Sequence, residues 1–329
     1  MSAGETALVT GATGAIGPGL VSALIRRGYR VRVLVRGPDT GSFGSVVEVF
    51  RGRLDDLEVL RNATRGAGVV FHLAAKLHIV NPTADQREDY WRVNVEGTRA
   101  LVDAAARSGI RRLIYFSTIA VYGKCRTGLV LDEDSPIAPD NWYSETKAEG
   151  EQIARAEVPS VILRLAAVYG PGMKGNYPRL VRALDRGYFV PIGNGTNCRT
   201  LVHEEDVVDA AVVAAEHPSA AGRVYNVTDG QVHSLAAVIA AVCSALGRRP
   251  RKAYVPASLA YAMAAIVEDV WGLSGGRVPI GRATIAKLLE DVSVLGDRIQ
   301  QELAFSPRMD LQGGWNATIA QLRRGGVIS

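Results

Sequence analysis

Tyr143 and Lys147 stand four residues apart in Tyr143-Ser144-Glu145-Thr146-Lys147, which puts a phenol and an ammonium on one face of a helix. A phenol has a reference pKa of about 10, too high for efficient proton exchange near neutrality. A nearby ammonium favours the phenolate and lowers that value. The same ammonium can hold a ribose hydroxyl, so one residue would both tune an acid and fix a cofactor. In isolation such a pair is ordinary and usually structural. Its company changes that. Thr118, 25 residues before Tyr143, lies in Tyr115-Phe116-Ser117-Thr118-Ile119-Ala120-Val121-Tyr122-Gly123, follows from a strand end and offers a hydroxyl to the same cleft.

A second chemistry is written in Thr10-Gly11-Ala12-Thr13-Gly14-Ala15-Ile16-Gly17, between an expected strand and an expected helix. Gly11 permits a tight turn, Gly14 lets backbone N–H groups approach a pyrophosphate, and Gly17 lets the helix pack closely on the sheet. The end of the next strand discriminates between dinucleotides: a carboxylate there holds the ribose of NAD, an Arg the 2′-phosphate of NADP. Val35-Arg36-Gly37 has no acidic residue before Asp39, with a solvated surface Arg as the bland alternative. His72, His78, His203 and His233 are isolated, and Asp132-Glu133-Asp134 reads as a solvated loop, so no metal is expected.

The elements that must position these groups alternate. Short β-branched runs at 6–10, 30–35, 46–50, 69–73, 112–116 and 161–165 predict strands, and amphipathic stretches at 16–27, 57–64, 85–108 and 143–156 predict helices. Several strands are almost wholly apolar, as when both faces of a sheet are covered. The pattern predicts an α/β fold with a doubly wound parallel sheet. After Val168 the rhythm changes: 201–203, a helix over 205–216 and a strand over 223–227 look like a return to the sheet, and the chain beyond 234 is mainly helical. The expected organisation is a dinucleotide-binding domain over 1–168, rejoined by 201–230. A smaller substrate lobe from 169–200 and 231–329 would sit above the carboxyl ends of the strands, where ligands bind in such sheets.

Composition narrows the class. With 47% apolar and 22% charged residues among 329, disorder and collagen-like repetition are excluded. The apolar stretch at 259–273 is broken by Glu268 and Asp269 and falls short of a membrane span. No basic, cleavable apolar leader opens the chain, so a soluble cytoplasmic protein without a membrane partner is expected. Cys125, Cys198 and Cys243 are few and far apart, which suggests neither a disulfide frame nor a zinc knuckle. The formal charge of +5 rests on scattered Arg residues and does not point to nucleic acid.

Taken in order, the glycine turn, the Thr118 segment and the Tyr143–Lys147 pair resemble the extended short-chain dehydrogenase/reductase family. Val70-Phe71-His72-Leu73-Ala74-Ala75, Val93-Asn94-Val95-Glu96-Gly97-Thr98, Val168-Tyr169-Gly170-Pro171-Gly172 and Leu201-Val202-His203-Glu204-Glu205-Asp206-Val207 extend the resemblance over nearly the whole chain. It implies a Rossmann-type fold, with Tyr143 as general acid/base, Lys147 as its tuner and ribose anchor, and Thr118 as the second hydroxyl; Ser117 is the structural alternative. It also implies dinucleotide contacts from Gly11, Thr13, Gly14, Ile16 and Gly17 at the pyrophosphate, from Ala74 and Ala75 under a ribose, and from Leu54 and Asn94. Where relatives commonly read Gly-Asp-Leu after the third strand, this chain reads Gly52-Arg53-Leu54. The missing carboxylate removes an adenine contact, and Arg53 joins Arg36 as a candidate for a 2′-phosphate. NADP(H) is thus favoured, with NAD(H) the alternative. Relatives commonly pair the helices expected at 85–108 and 143–156 into a homodimer.

Nucleotide-sugar 4,6-dehydratases of the family carry an Asp-Glu pair directly after the catalytic Thr. Ile119 and Ala120 stand there and cannot transfer protons, so dehydration is not expected. Hydride transfer remains, either one way or reversed on the opposite face as an epimerisation. Arg199, four residues before His203, stands where sugar-nucleotide epimerases keep an Arg for the diphosphate, a group that suits a planar guanidinium; a surface Arg in a loop is the alternative. The stretch from Tyr169 to Asn176, followed by Arg179-Leu180, is similar to bacterial nucleotide-sugar 4-ketoreductases, whereas Ala167 replaces the Asn of UDP-galactose-type epimerases. The resemblance therefore implies a 4-ketoreductase or divergent 4-epimerase of a nucleoside-diphosphate sugar, with Lys76, Asn176 and Arg199 as substrate contacts. One rival is a reductase of an apolar ketone, like the family's 3β-hydroxysteroid dehydrogenases and dihydroflavonol reductases, with the apolar helix at 257–267 lining the pocket. The other is a non-catalytic dinucleotide sensor, which would have no need of Thr118 and Tyr143.

Overall fold

The computed structural model describes residues 4–37, 43–77, 84–125, 128–251, 253–274 and 281–328. Chain order runs β1 (Thr6–Thr10), α1 (Gly17–Arg26), β2 (Arg30–Val35), β3 (Val47–Arg51), α2 (Leu57–Thr64), β4 (Val69–His72), α3 (Ala84–Trp91), α4 (Gly97–Arg107), β5 (Arg112–Thr118), α5 (Trp142–Glu157) and β6 (Ser160–Leu165). It continues with β7 (Ala167–Tyr169), α6 (Asn176–Asp185), β8 (Cys198–His203), α7 (Glu204–Glu216), β9 (Val224–Val227), β10 (Val232–Ser234), α8 (Leu235–Leu246), α9 (Ala257–Ser274), α10 (Arg282–Leu289), α11 (Asp297–Leu303) and α12 (Leu311–Arg324).

Seven strands form one sheet in the order β3-β2-β1-β4-β5-β6-β9, and every pairing in it is parallel. The strand order reverses between β1 and β4, which opens a crevice at their carboxyl ends. Apolar runs such as Ala7-Leu8-Val9 bury both faces because helices cover both. Leu20 and Leu24 of α1 and Val207 and Ala211 of α7 pack with Val9, Phe71 and Ile114 on one side. Leu60 of α2, Leu101 of α4 and Ile153 of α5 pack with Leu8, Val70 and Leu113 on the other. A third core holds the C-terminal helices, where Tyr169 stacks on the fully buried Trp315 at 4.6 Å among Val181, Val238 and Ile319.

Two expectations about the elements are corrected. The segment at 201–203 does not rejoin the main sheet. It belongs to β8, the centre of a separate three-stranded sheet in the order β10-β8-β7, and only β9 returns to extend the parallel sheet. β6 already has β5 and β9 as neighbours, so β8 finds its parallel partner in β7 instead. The helix expected as one rod over 85–108 is interrupted by a π-helical turn at Arg92–Glu96. That wider turn carries Asn94 inward, where its side chain bonds the backbone of Lys76.

Candidate active site

The glycine turn between β1 and α1 is built for close approach. Gly11 has φ +73°, and a Cβ there would lie 2.6 Å from the backbone N of Ala74. The backbone of Leu73 and Ala74 therefore passes directly against the turn. Gly14 N donates to Gly11 O at 2.9 Å, which closes the loop. A Cβ at Gly17 would lie 2.1 Å from the Ala12 carbonyl oxygen, so only glycine lets α1 start this close to β1. Ile16 at the N-cap offers no side-chain cap, which leaves the first N–H groups of α1 and their partial positive charge for an anion. These features fit a dinucleotide pyrophosphate.

The chemical pair rests on α5. Asn141 caps that helix through a capping box with Ser144: its Oδ1 accepts from Ser144 N at 3.1 Å, and Ser144 Oγ accepts from Asn141 N at 3.2 Å. Such a cap contributes about 1 kcal/mol and fixes the first turn, on which Tyr143 stands. Thr118 is the last residue of β5, and its Oγ1 accepts from Ala120 N at 3.2 Å. The Tyr143 hydroxyl is hydrogen-bonded to Thr118, while burial still pushes it up to about 12. Lys147 is buried, its Nζ 4.0 Å from the centre of the Tyr115 ring. Desolvation brings its ammonium down to about 7, against the opposing pull of the Glu151 charge. The spacing thus assembles Thr118, Tyr143 and Lys147 as expected, but the expected lowering of the phenol is not seen. Burial outweighs the Thr118 hydrogen bond, which acts to lower it.

Beneath the pair lies a network that sequence reading missed. Glu151 accepts from Ser117 Oγ at 2.5 Å and from Arg164 at 2.8 and 3.0 Å. Arg164 also donates to the Tyr122 hydroxyl, which donates to Asn226. Ser117 is therefore structural. The available signal was spacing, since Tyr143, Lys147 and Glu151 recur every fourth residue on one face of α5.

The family model described as the NAD dependent epimerase/dehydratase family matches residues 7–228. The chain belongs to this family. It is 32% identical over 325 residues to the UDP-glucose 4-epimerase of Vibrio cholerae, covering 95% of this chain and 94% of that one. It is 30% identical over 319 residues to the 4-hydroxy-2-methyl-3-oxo-4-farnesyl-3,4-dihydroquinoline-1-oxide ketoreductase of Stigmatella aurantiaca, covering 94% of both chains. Among solved structures it resembles MoeE5 in complex with UDP-glucuronic acid and NAD, with a TM-score of 0.76 and 30% identity over 98% of this chain and 100% of that one. A Rossmann-type α/β fold and membership of an NAD-dependent enzyme family follow.

Other residues expected at the family's site fare differently. Arg36 follows β2 and Arg53 follows β3; because Val35 pairs with Arg51, both leave the same end of the sheet beside the glycine turn. Both are exposed, and Arg53 pairs with Asp55 at 3.4 Å. Thr13 is exposed in the glycine turn, Ile16 is half-buried there, and Leu54 packs against Gly97. Three expected contacts are already engaged within the protein. Asn94 is 1% exposed; its Oδ1 accepts from Lys76 N and its Nδ2 donates to the Lys76 carbonyl and to Thr146 Oγ1, so it braces α5. Lys76 pairs with Asp89 at 2.8 Å. Arg199 spends its guanidinium on the carbonyls of Lys287, Leu288 and Glu290 at the end of α10, which leaves it poorly placed for a diphosphate. Asn176 is exposed at the first position of α6. His72 is held between Thr10 and Thr98 at 2.8 and 2.9 Å, and burial lowers it to about 3. Asp39 and His78 lie outside the described residues.

Glu204 was missed because it opens the acidic run of α7, where carboxylates ordinarily serve the helix dipole. Here its Oε2 accepts from Gly172 N at 3.0 Å. A Cβ at Gly172 would meet both this oxygen and the Ala15 carbonyl, so Glu204 ties the loop after β7 to the glycine turn. Burial raises its carboxyl to about 7.

Proposed function

We propose that the chain is an NAD(P)-dependent oxidoreductase that transfers hydride at a sugar carbon, C4, of a nucleoside-diphosphate sugar, as a 4-ketoreductase or 4-epimerase. The observation that carries this reading is the hydrogen bond between Thr118 and Tyr143 with Lys147 one turn further along α5, beside a turn shaped for a pyrophosphate. In the direction of reduction, Tyr143 gives its hydroxyl proton to the substrate carbonyl oxygen while Thr118 donates to the same oxygen. Lys147 holds a ribose hydroxyl. Gly11, Thr13, Gly14, Ile16 and Gly17 hold the pyrophosphate, with Ala74, Ala75 and Leu54 lining the rest. The nicotinamide supplies or accepts the hydride. A phenol near 12 is well protonated at neutral pH, which suits the acid of a reduction.

The sugar-nucleotide reading is supported by the Vibrio cholerae epimerase and by the UDP-glucuronic acid bound in MoeE5. Arg36 and Arg53 favour NADP(H), because a charge-assisted pair to the 2′-phosphate is worth roughly 1.5–3 kcal/mol, about ten- to a hundredfold in affinity. A homodimer through α4 and α5, which pack side by side on one face of the sheet, belongs to the same proposal. A second reading, reduction of an apolar ketone, is favoured by two observations: the Stigmatella aurantiaca ketoreductase matches over nearly its whole length, and Arg199 is committed to α10.

The test is titration of nucleotide-stripped protein with NADPH and NADH, followed by UDP, dTDP or a farnesylated quinolone. Tighter NADPH binding that Arg36→Ala abolishes, with thermal stabilisation by UDP or dTDP, supports the proposal. Equal affinity for both cofactors refutes the NADP preference. Stabilisation by the farnesylated compound alone moves the substrate to the apolar class.

A further inference from the structure

The 257–267 helix expected to line a pocket instead presents its large side chains outward. In α9, Ala260 and Ala264 pack on Ile285, with Ile192, Val255 and Leu289 beside them. On the other side Leu259, Met263 and Ile266 are 51%, 55% and 63% exposed, at the spacing of one helix face with Ala262 between them. The neighbouring backbone continues this surface. Val255 exchanges backbone hydrogen bonds with Pro191 and Gly193, which brings the segments around 190 and 254 together, and Tyr188 and Tyr254 there are 60% and 55% exposed.

The Tyr188 and Tyr254 end of this surface adjoins a group of arginines. Arg251 bonds the Gly187 carbonyl and Arg248 reaches the buried Asp185 at 3.7 Å, which gathers both beside Arg186 and Tyr188. Arg182, Arg186 and Arg249 are exposed as well. Among the described residues, Glu268 pairs with Arg282 and Glu290 with Lys287. Exposed apolar and tyrosine side chains beside exposed arginines, of which Arg248 alone has a carboxylate partner among the described residues, are the chemistry of a surface that lies in a headgroup layer. No described helix is long and apolar enough to cross a membrane, so contact would be with the surface alone. We propose that the outer face of α9, together with the neighbouring arginines at 182–186 and 248–251, docks onto an anionic lipid bilayer. This departs from the expectation of no membrane partner, which considered spanning segments, and it is independent of the substrate reading.

Vesicle pelleting tests it, with vesicles of phosphatidylcholine alone and of equal parts phosphatidylcholine and phosphatidylglycerol. The chain should pellet with the mixed vesicles at low salt, remain in solution with phosphatidylcholine alone, and be released by molar salt. Each basic residue near such a surface is worth about fivefold in partition, so Arg186→Gln with Arg249→Gln should lose roughly thirtyfold. Met263→Glu with Ile266→Glu should abolish pelleting while circular dichroism and the unfolding midpoint stay unchanged, since both side chains face outward. Absence of pelleting with the mixed vesicles overturns the proposal. So does sedimentation showing that the Glu pair dissolves a dimer of the wild type, which would assign the face to a second copy of the chain.

Discussion

Replacing Glu151 by Gln separates the two tasks that the structure gives this carboxylate. It accepts Ser117 and Arg164 in an interior where the ion pair is 5% and 7% exposed. Gln keeps the shape and one acceptor but leaves the Arg164 guanidinium without a counter-charge. Breaking a buried pair from one side costs about 3–5 kcal/mol. The remaining amide acceptor and the Arg164–Tyr122 bond place the expected loss at the low end, about 3 kcal/mol. It should appear as a lower urea midpoint at unchanged slope. The second task is electrostatic. Burial brings Lys147 down to about 7, and the Glu151 charge works against that fall. An ammonium holds a ribose hydroxyl better than an amine, so affinity for the reduced dinucleotide should decline as pH rises through about 7 in the wild type. Without the Glu151 charge Lys147 falls further, and the midpoint of that decline moves to more acidic pH. Fluorescence titration of NADPH or NADH across the neutral range measures it, with Lys147→Met as the control that flattens the profile. A midpoint unmoved or shifted to alkaline pH would refute the coupling, and an unchanged urea midpoint would refute the need of Arg164 for its counter-charge.

Tyr143→Phe should lower turnover by about 10²–10⁴-fold while dinucleotide affinity stays within about twofold, because the phenol moves the proton and Lys147 holds the ribose. Parallel loss of affinity would assign Tyr143 to binding. Glu204 holds its proton more tightly folded than unfolded, with a carboxyl raised from 4.5 to about 7. Its contribution to stability is therefore fullest below pH 4.5 and is lost as pH rises through about 7. Glu204→Gln should remove that decline, and a melting-temperature difference between wild type and variant that is flat over this window would show otherwise. Arg199→Ala should destabilise the C-terminal lobe by about 1.5–3 kcal/mol through the α10 carbonyls it uncaps, leaving UDP affinity unchanged. The reverse outcome would restore Arg199 to the diphosphate.

The main sheet was legible because its evidence is local. Val69-Val70-Phe71 and Leu113-Ile114-Tyr115 are apolar on every position, and the strand–glycine turn–helix succession at 6–26 states its own connection. What escaped depended on contacts between distant parts of the chain. Nothing within 85–108 announces a π-helical turn, whose apparent reason is the bond from Asn94 back to Lys76. Likewise 201–203 reads as one more buried strand, and its membership of a second sheet is decided by β7 and β10.

At the site the same boundary separates identity from environment. The i, i+4 spacing on α5 reports that Tyr143 and Lys147 share a face, and the end of β5 brings Thr118 to them. Spacing alone carries no information about solvent. A neighbouring charge alone would lower the phenol, but both groups are desolvated, and burial moves an acid up and a base down. That is why the phenol stands near 12 and the ammonium near 7 in the same cleft. Both values follow from desolvation, and Glu151, one turn beyond the pair, works against the fall of Lys147, so the positioning of charge under α5 matters as much as the residues that face the substrate. Arg199 teaches the same point from the other side. Its residue type suits a diphosphate, but the backbone carbonyls of 287, 288 and 290 reach it first. A guanidinium capping a helix end must give up those bonds before it can bind a ligand, and its type alone cannot reveal that cost.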